Sequence, residues 1–203
     1  MRRTKEEAEV TRQTLLDAGL KVFSQKGYAD TTLDDIAEEA GVTRGAIYHH
    51  FGGKAELYNS VIAEGWERIM PAIERGIAEG SNALEQLQRS FVYFVRFAVE
   101  DEAFRAINEL MLFKTEMSDD LEAGMEMKRL GMRGGIHRVA EFVRKGIEDG
   151  SIRPDVNPLD VGIMIITLQN GLVATWLMDP TLFSLTKRAE AMAEIFFSGL
   201  AAH

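Results

Sequence analysis

The chain has 203 residues, a formal net charge of -9 and no cysteine. With 46% hydrophobic and 27% charged residues, its composition is that of a globular protein with a substantial core and argues against disorder. The lack of cysteine excludes disulfides and thiolate metal sites, and the charged start MRRTKEEAEVTR argues against a secretory signal, so we expect a cytoplasmic protein.

The first segment predicts one long helix. Thr4 and Glu7 fit a capping box, and the helix then continues to about Lys26. Gly27 is expected to end it, because glycine adopts the left-handed conformation without steric cost. The inner face of this helix carries Leu15, Ala18, Val22 and Phe23.

Residues 31–41 predict a short second helix followed by a sharp turn. Thr32 and Asp35 fit another capping box, so we expect this helix to start near Leu33. Gly41 is expected to end it in the left-handed conformation. The apolar positions that face inward are Leu33, Ile36, Ala37 and Ala40.

A third helix follows directly. Thr43 is its predicted N-cap, the helix spans about Arg44 to Phe51, and Ile47 faces the interior. Two short helices joined by a glycine-containing turn, with a polar start to the second helix, form the helix-turn-helix pattern, in which that start enters the major groove of DNA. A helical hairpin without a DNA function is the alternative, because such patterns have many false positives.

Several side chains here suit contacts with DNA. Arg44 can donate two hydrogen bonds to a guanine edge, and Gly45 lets the backbone approach closely. Lys54 stands at the start of a fourth helix, where unpaired N–H groups and the positive dipole end suit a phosphate. The predicted DNA-binding residues are Thr32, Thr43, Arg44, Gly45, Tyr48, His49, His50 and Lys54.

Charge is unevenly distributed along the chain. Residues 1–60 hold eight Lys or Arg and ten Asp or Glu, a net charge of -2, so the remaining residues hold -7. A basic face can form if Asp34, Glu38 and Glu39 point away from the DNA. Its members would be Arg2, Arg3, Lys5, Arg12, Arg44 and Lys54. The basic residues at the N-terminus either follow the phosphate backbone or form an ordinary solvated tail.

The segments TRQTLLDAGLKVFSQKGY, TTLDDIAEEAGVTRGAIYHHF and GGKAELY, within residues 9–58, resemble the DNA-binding domain of the TetR family of transcriptional regulators. The resemblance implies an all-helical dimer whose C-terminal domain binds a small molecule and thereby releases DNA. It also favours repression over activation. Within that family, ELMLFKTEM and the layout of the following long helix resemble the AcrR-type regulators of multidrug efflux.

The fourth helix is predicted from Lys54 to about Ala78, with Pro71 inside it. Proline removes a backbone hydrogen bond and clashes with the preceding turn, so we expect a kink or a break there. The alternative is that one helix ends near Met70 and a new one starts at Pro71, where proline is favourable.

Three helices are predicted over residues 83–149. The first follows the break Gly80-Ser81-Asn82, the second spans about Asp101 to Thr115, and the third is capped by Ser118 and ends at Gly150. Four glycines interrupt the third helix, so it either bends or is packed very closely against a neighbour. These are Gly124, Gly131, Gly134 and Gly135.

The last two helices are predicted at about Pro158 to Met178 and Ser184 to Ala201. The first is apolar enough to suggest a membrane span, but Asp160, Gln169 and Asn170 make a buried or interfacial helix the better interpretation. Both apolar faces suit packing against the same two helices of a second copy, so we predict a homodimer through them and no membrane partner.

Between these helices we expect a cavity for a small, lipophilic effector, with simple core packing as the alternative for each residue. The predicted effector-binding residues are Trp66, Met70, Ile73, Phe91, Phe94, Glu109, Met111, Phe113, Met132 and Asn170. No strand pattern is found, so the predicted fold is all-α. It comprises a helix-turn-helix DNA-binding domain over residues 1–54 and a helical ligand-binding and dimerisation domain over residues 55–203.

An enzyme is the main alternative class of protein. The chain has no Gly-x-Ser-x-Gly elbow, no phosphate-binding loop and no His-Glu-x-x-His pair, so neither catalysis nor a cofactor or metal is expected. A DNA-binding architectural protein or an activator without a ligand is a second alternative. The expected partners are therefore double-stranded DNA, a small-molecule effector and a second copy of the chain.

Overall fold

A computed structural model of the chain describes residues 5–115 and 121–202. Over these ranges the fold is all-α, as predicted, with a single isolated antiparallel bridge between Ile152 and Ala201. The described helices are α1 (Lys5–Asp30), α2 (Leu33–Ala40), α3 (Arg44–Phe51), α4 (Lys54–Glu79), α5 (Ala83–Glu100), α6 (Glu102–Phe113), α7 (Glu122–Glu148), α8 (Pro158–Met178) and α9 (Leu185–Ser198).

One compact unit comprises Met1–Glu67 and Ala103–Glu126. It therefore contains α1, α2, α3, the first part of α4, α6 except for Glu102, and the start of α7. Large apolar side chains from α1, α2, α3, α4 and α6 fill its core, and the predicted inner face of α1 is confirmed. The largest members of this core are Leu15, Phe23, Ile36, Ile47, Leu57 and Leu110.

Gly27 interrupts the regular helix of α1, with a φ of 79°. The predicted end of the helix at this residue is confirmed, whereas the Thr4 capping box lies outside the described residues. A Cβ atom at Gly27 would approach the carbonyl oxygen of Lys114 to 3.0 Å. The N–H of Tyr28 donates to that same carbonyl at 3.0 Å, so the end of α6 is bound directly to the interruption in α1.

The other compact unit comprises Arg68–Glu102 and Met127–His203. Its core centres on Phe91 of α5 and Phe197 of α9, which are almost fully buried and meet edge to face with ring centroids 5.8 Å apart. Leu87, Phe94 and Val95 of α5 are also buried.

α4 continues through Pro71 as one helix. The alternative in which a helix ends near Met70 is therefore wrong. Ile69 is fully buried, and Gly76 packs so tightly on α5 that a Cβ there would lie 2.5 Å from the backbone nitrogen of Ser90.

Close packing explains only one of the four glycines that interrupt the sequence of α7. A Cβ at Gly124 would lie 1.9 Å from Oδ1 of Asn59, so only glycine fits there. At Gly131, Gly134 and Gly135 a Cβ would meet nothing closer than 3.5 Å. The helix is nevertheless continuous over Glu122–Glu148, and Gly150 follows its end with a φ of 77°. The predicted Ser118 cap lies outside the described residues.

α8 packs closely against α7 on one side, since a Cβ at Gly162 would lie 2.7 Å from the carbonyl oxygen of Ile136. Over the described ranges, α8 is the one helix that has the length and apolar composition to cross a membrane, with a mean hydropathy of 1.6. A single such helix is weak support for a span, and the polar residues Asp160, Gln169 and Asn170 lie within it.

Candidate DNA interface and apolar faces

The start and end of α2 are fixed by local contacts. Asp35 N–H donates to the Thr32 hydroxyl oxygen at 3.1 Å, and Thr32 N–H donates to the Asp35 carboxylate at 3.0 Å. The predicted capping box is therefore confirmed. Gly41 ends the helix with a φ of 64°, as predicted, and Val42 follows with its N–H bound to the carbonyl of Ala37.

α3 presents an exposed N-terminal end above a buried anchor. Ile47 is completely buried, whereas the side chains of Arg44 and Tyr48 are exposed. Thr43 occupies the N-cap position as predicted, but its hydroxyl makes no capping hydrogen bond. Gly45 is exposed, and a Cβ there would meet only the Thr43 hydroxyl, at 3.7 Å.

Arg44 is oriented by two neighbours. Its guanidinium donates to the Tyr48 hydroxyl at 3.1 Å and to the Asp34 carboxylate at 3.4 Å, and it lies 5.6 Å from the centroid of the Tyr48 ring. Tyr48 first and then Asp34 raise the pKa of Arg44. Asp34 thus pairs with a member of the predicted basic face, because the tight turn brings the start of α2 beside the start of α3.

Two other acidic residues of α2 are paired with lysines of α1. Asp35 lies 2.7 Å from the Lys26 ammonium, and Glu39 lies 2.6 Å from that of Lys21. The Lys26 hydrogen bond and those from Thr32 lower the pKa of Asp35 to about 2. These pairs neutralise part of the negative charge near α3.

The remaining predicted DNA-binding residues differ in how exposed their side chains are. His49 is exposed, His50 is half-buried, and Thr32 is exposed despite its capping role. Lys54 is half-buried, and its ammonium donates to three backbone carbonyls of residues 28–31. Of the predicted basic face, Arg12 lies over the Phe51 ring at 5.4 Å, whereas Arg2 and Arg3 lie outside the described residues.

Four predicted effector-binding residues belong to the unit that contains the helix-turn-helix. Met111 packs against the core of that unit, and Glu109 is half-buried. Trp66 and Phe113 are about half exposed, at 49% and 51%. Core packing therefore explains Met111 but not the two large aromatic residues.

The other six belong to the second unit. Phe91 and Phe94 are buried, and the contact of Phe91 with Phe197 identifies it as a core residue. Ile73 is half-buried, whereas Met70 and Met132 are exposed.

Asn170 is exposed on α8. The buried polar residue of this helix is the adjacent Gln169, which is 9% exposed.

α8 and α9 share an open apolar groove of about 520 Å³. Aliphatic, methionine and phenylalanine side chains line it, and several of them are strongly exposed, including Met164 at 55% and Ile195 at 78%. The lining residues are Met164, Leu168, Leu172, Met192, Ile195, Phe196, Gly199 and Leu200.

Residues 15–61 match the family described as "Bacterial regulatory proteins, tetR family", and residues 82–201 match "MAATS-type transcriptional repressor, C-terminal region". The second match covers more than half of the chain. The chain belongs to the TetR family. It is thus a transcriptional regulator that binds DNA through its helix-turn-helix, and not an enzyme.

Two relatives show how far the similarity of this TetR-family protein extends. The transcriptional regulator AcrR of Shigella flexneri is 31% identical over 193 residues, which cover 93% of this chain and 88% of AcrR. The probable acrEF/envCD operon repressor of Escherichia coli strain K12 is 30% identical, with 95% and 88% covered. The similarity therefore includes both the DNA-binding and the C-terminal helices.

Solved structures of TetR-family proteins have the same fold. NalD of Pseudomonas aeruginosa, described as the secondary repressor of the MexAB-OprM multidrug efflux pump, is 29% identical with a TM-score of 0.83. Superposition covers 97% of this chain and 98% of NalD. A complex of SmeT with triclosan is 26% identical with a TM-score of 0.76, covering 92% and 91%. SmeT is described as the repressor of the SmeDEF multidrug efflux pump of Stenotrophomonas maltophilia.

Proposed function

We propose that this TetR-family protein is a cytoplasmic repressor that binds a two-fold symmetric operator as a homodimer and leaves it when a small apolar molecule binds. The observation that carries the proposal is the exposed apolar groove on α8 and α9. A surface with Ile195 so fully exposed is unfavourable in water for a single chain, and a second copy would cover it. The two DNA-reading helices would then face successive major grooves.

In this proposal residues 1–54 act as the DNA-binding domain, and residues 55–203 bind the effector and dimerise. The exposed end of α3 supports the assignment of Arg44 to base edges and of Thr43 to a base or a phosphate. Gly45 would allow close approach of the backbone, and Tyr48 and His49 would contact phosphates nearby.

Selection of bound fragments from random duplex DNA tests the operator and the dimer together. We expect enriched fragments to carry two inverted half-sites, with centres about 10 base pairs or a multiple of one helical turn apart. Single half-sites without symmetry, together with a monomer in analytical ultracentrifugation, would contradict the proposal.

The effector is proposed to be a small apolar compound of the class that multidrug efflux pumps export. The similarity to NalD and to SmeT, which was solved with triclosan, supports this class. Aromatic surface in the unit that contains the helix-turn-helix would come from the exposed side chains of Trp66 and Phe113. Glu109, which is half-buried and lies four residues before Phe113, would supply one polar group.

Triclosan is a suitable probe for this proposal. Titration of the operator complex with triclosan should weaken DNA binding by about 5-fold to 150-fold, the range of a typical coupling free energy. Trp66 is one of two tryptophans in the chain. If a change in tryptophan fluorescence on triclosan binding is lost in Trp66→Phe, that change arises at Trp66. Triclosan binding that left operator affinity unchanged would contradict release by this class of compound.

A further inference from the structure

The guanidinium of Arg44, the first residue of α3, has partners on two helices. Its Nη2 donates to the Tyr48 hydroxyl at 3.1 Å, and its Nη1 donates to the Asp34 carboxylate at 3.4 Å. The guanidinium carbon also lies 5.6 Å from the centroid of the Tyr48 ring, where the face of an aromatic ring attracts a cation. Together these contacts define one orientation of the arginine head group.

This arrangement leaves enough hydrogen-bond donors for DNA. A guanidinium has five N–H groups, and the contacts with Tyr48 and Asp34 use one on each terminal nitrogen. The Nε–H and one N–H on each terminal nitrogen therefore remain. A contact with O6 and N7 of guanine needs two donors, so Arg44 can make it without giving up either protein partner.

Asp34 differs from two other carboxylates of α2 in the helix that it contacts. Asp35 and Glu39 pair with lysines of α1, at 2.7 Å and 2.6 Å, and Asp35 also completes the capping box. Asp34 pairs instead with α3, across the turn, and its side chain is 73% exposed. α2 would therefore keep its cap and its contacts with α1 if Asp34 lost its charge.

The charge of Asp34 has a cost and a benefit for DNA binding. A carboxylate beside the start of α3 repels DNA phosphates, whatever the base sequence. An ion pair this exposed contributes little to folding stability, so the benefit concerns the arginine. A long side chain loses rotational freedom when it binds, and partners that already restrict it lower that cost.

We propose that Asp34 is a positioning residue for DNA recognition, which together with Tyr48 holds Arg44 in the orientation that binds a guanine edge. The benefit is confined to sites that present guanine at this position, whereas repulsion of phosphates applies to all DNA. Asp34 thus increases the ratio of operator affinity to non-operator affinity. The inference rests on the proposed function, because it takes Arg44 to be a base-reading residue.

The test compares Asp34→Asn with a matched control, Glu39→Gln, in the full-length protein. Both variants replace a carboxylate of α2 with an amide of similar shape and alter an ion pair, but the partner of Glu39 is Lys21 on α1. Fluorescence anisotropy gives the dissociation constants for the selected operator, for operators with single base changes and for a non-operator duplex. Stoichiometric titration gives the active fraction, so that loss of folded protein does not enter these constants.

We expect Asp34→Asn to bind non-operator DNA more tightly and the operator less tightly than the wild type does. The ratio of the two affinities should fall about 5-fold to 10-fold, which is part of the discrimination that a bidentate contact supplies. The base preference should relax at one base pair in each half-site, the same pair that Arg44→Ala affects. Glu39→Gln should keep the wild-type ratio.

The same substitution in an Arg44→Ala background separates positioning from a general charge effect. There Asp34→Asn should leave the affinity ratio unchanged, because the side chain that Asp34 positions is absent. An equal fall in both backgrounds, or unchanged base preferences in Asp34→Asn, would overturn the proposal.

Tighter operator binding by Asp34→Asn with an intact base preference would also overturn the proposal, because Asp34 would then compete with DNA for Arg44. The wild type provides the reference for every comparison. If it showed no preference for any operator, that result would refute the proposed function separately.

Discussion

The DNA-reading segment and the α8–α9 pair differ in how their surfaces are completed. In α2 and α3 the helix ends are capped, Ile47 anchors the buried side, and Arg44, Asp35 and Glu39 have partners on neighbouring helices. In α8 and α9 the inner side packs into the core, but the outer side leaves apolar residues such as Ile195 in solvent. The polar residues of the first surface have partners within one chain, whereas the second surface leaves apolar side chains exposed.

The largest expected effect follows from placing a charge in the α8–α9 groove. In a symmetric interface Ile195→Glu would remove two buried side chains, at about 1.5–3 kcal/mol each, so the dimer dissociation constant should rise more than about 100-fold. Sedimentation velocity over a range of concentrations measures this change. Val10→Glu is the matched control, since Val10 is a similarly exposed aliphatic residue on α1. Equal behaviour of the two variants would place the dimer interface elsewhere.

The next largest expected effect is on the recognition of bases by Arg44. Arg44→Ala should weaken operator binding by about 1–3 kcal/mol and relax the preference at one base pair in each half-site. Competition between the operator and variants with single base changes provides the measurement. If affinity for every sequence fell equally, Arg44 would be a phosphate contact instead.

A smaller effect is expected when the start of α2 loses its cap. Thr32→Ala should lower the free energy of unfolding by about 0.5–2 kcal/mol, because the N–H of Asp35 loses its acceptor. Urea unfolding followed by circular dichroism measures the change. Thr32→Ser keeps the hydroxyl and should remain close to the wild type. Indistinguishable serine and alanine variants would show that the capping box contributes little.

The smallest effect is a pH dependence caused by Asp35. Its pKa is about 2 in the folded protein and 3.8 as an ordinary aspartate, so the folded state favours the carboxylate. This stabilisation is complete above the unfolded pKa of 3.8 and is lost as the pH falls through the folded pKa of about 2. The difference in the free energy of unfolding between the wild type and Asp35→Asn should therefore shrink as the pH is lowered from about 4 to about 2.

Urea unfolding of both proteins at several pH values measures the dependence on Asp35. Asp30→Asn, at the exposed end of α1, provides the control for the general effect of acid. A difference that stayed constant or grew on acidification would contradict the predicted role of the Lys26 and Thr32 contacts.

Short-range signals account for most of what could be predicted. Thr32, Gly41 and Gly150 mark helix ends through contacts or dihedral angles that depend on only a few neighbouring residues, and the structure confirms all three. The resemblance to the TetR family came from the same well-marked segment. Contacts between residues distant in sequence were missed, as with Arg44 and Asp34, because no local pattern specifies which surfaces meet.

The sequence by itself determined the helical fold class and most of the helix ends, because capping, glycine conformation and apolar periodicity act over one or two turns. The family followed from the resemblance of residues 9–58 to known regulators. Only the tertiary structure decided that α4 continues through Pro71, that Gln169 rather than Asn170 is buried, and that Lys54 binds carbonyls. Each of these outcomes depends on packing or on acceptors supplied by another part of the chain. Their free energies therefore arise only when the helices come together.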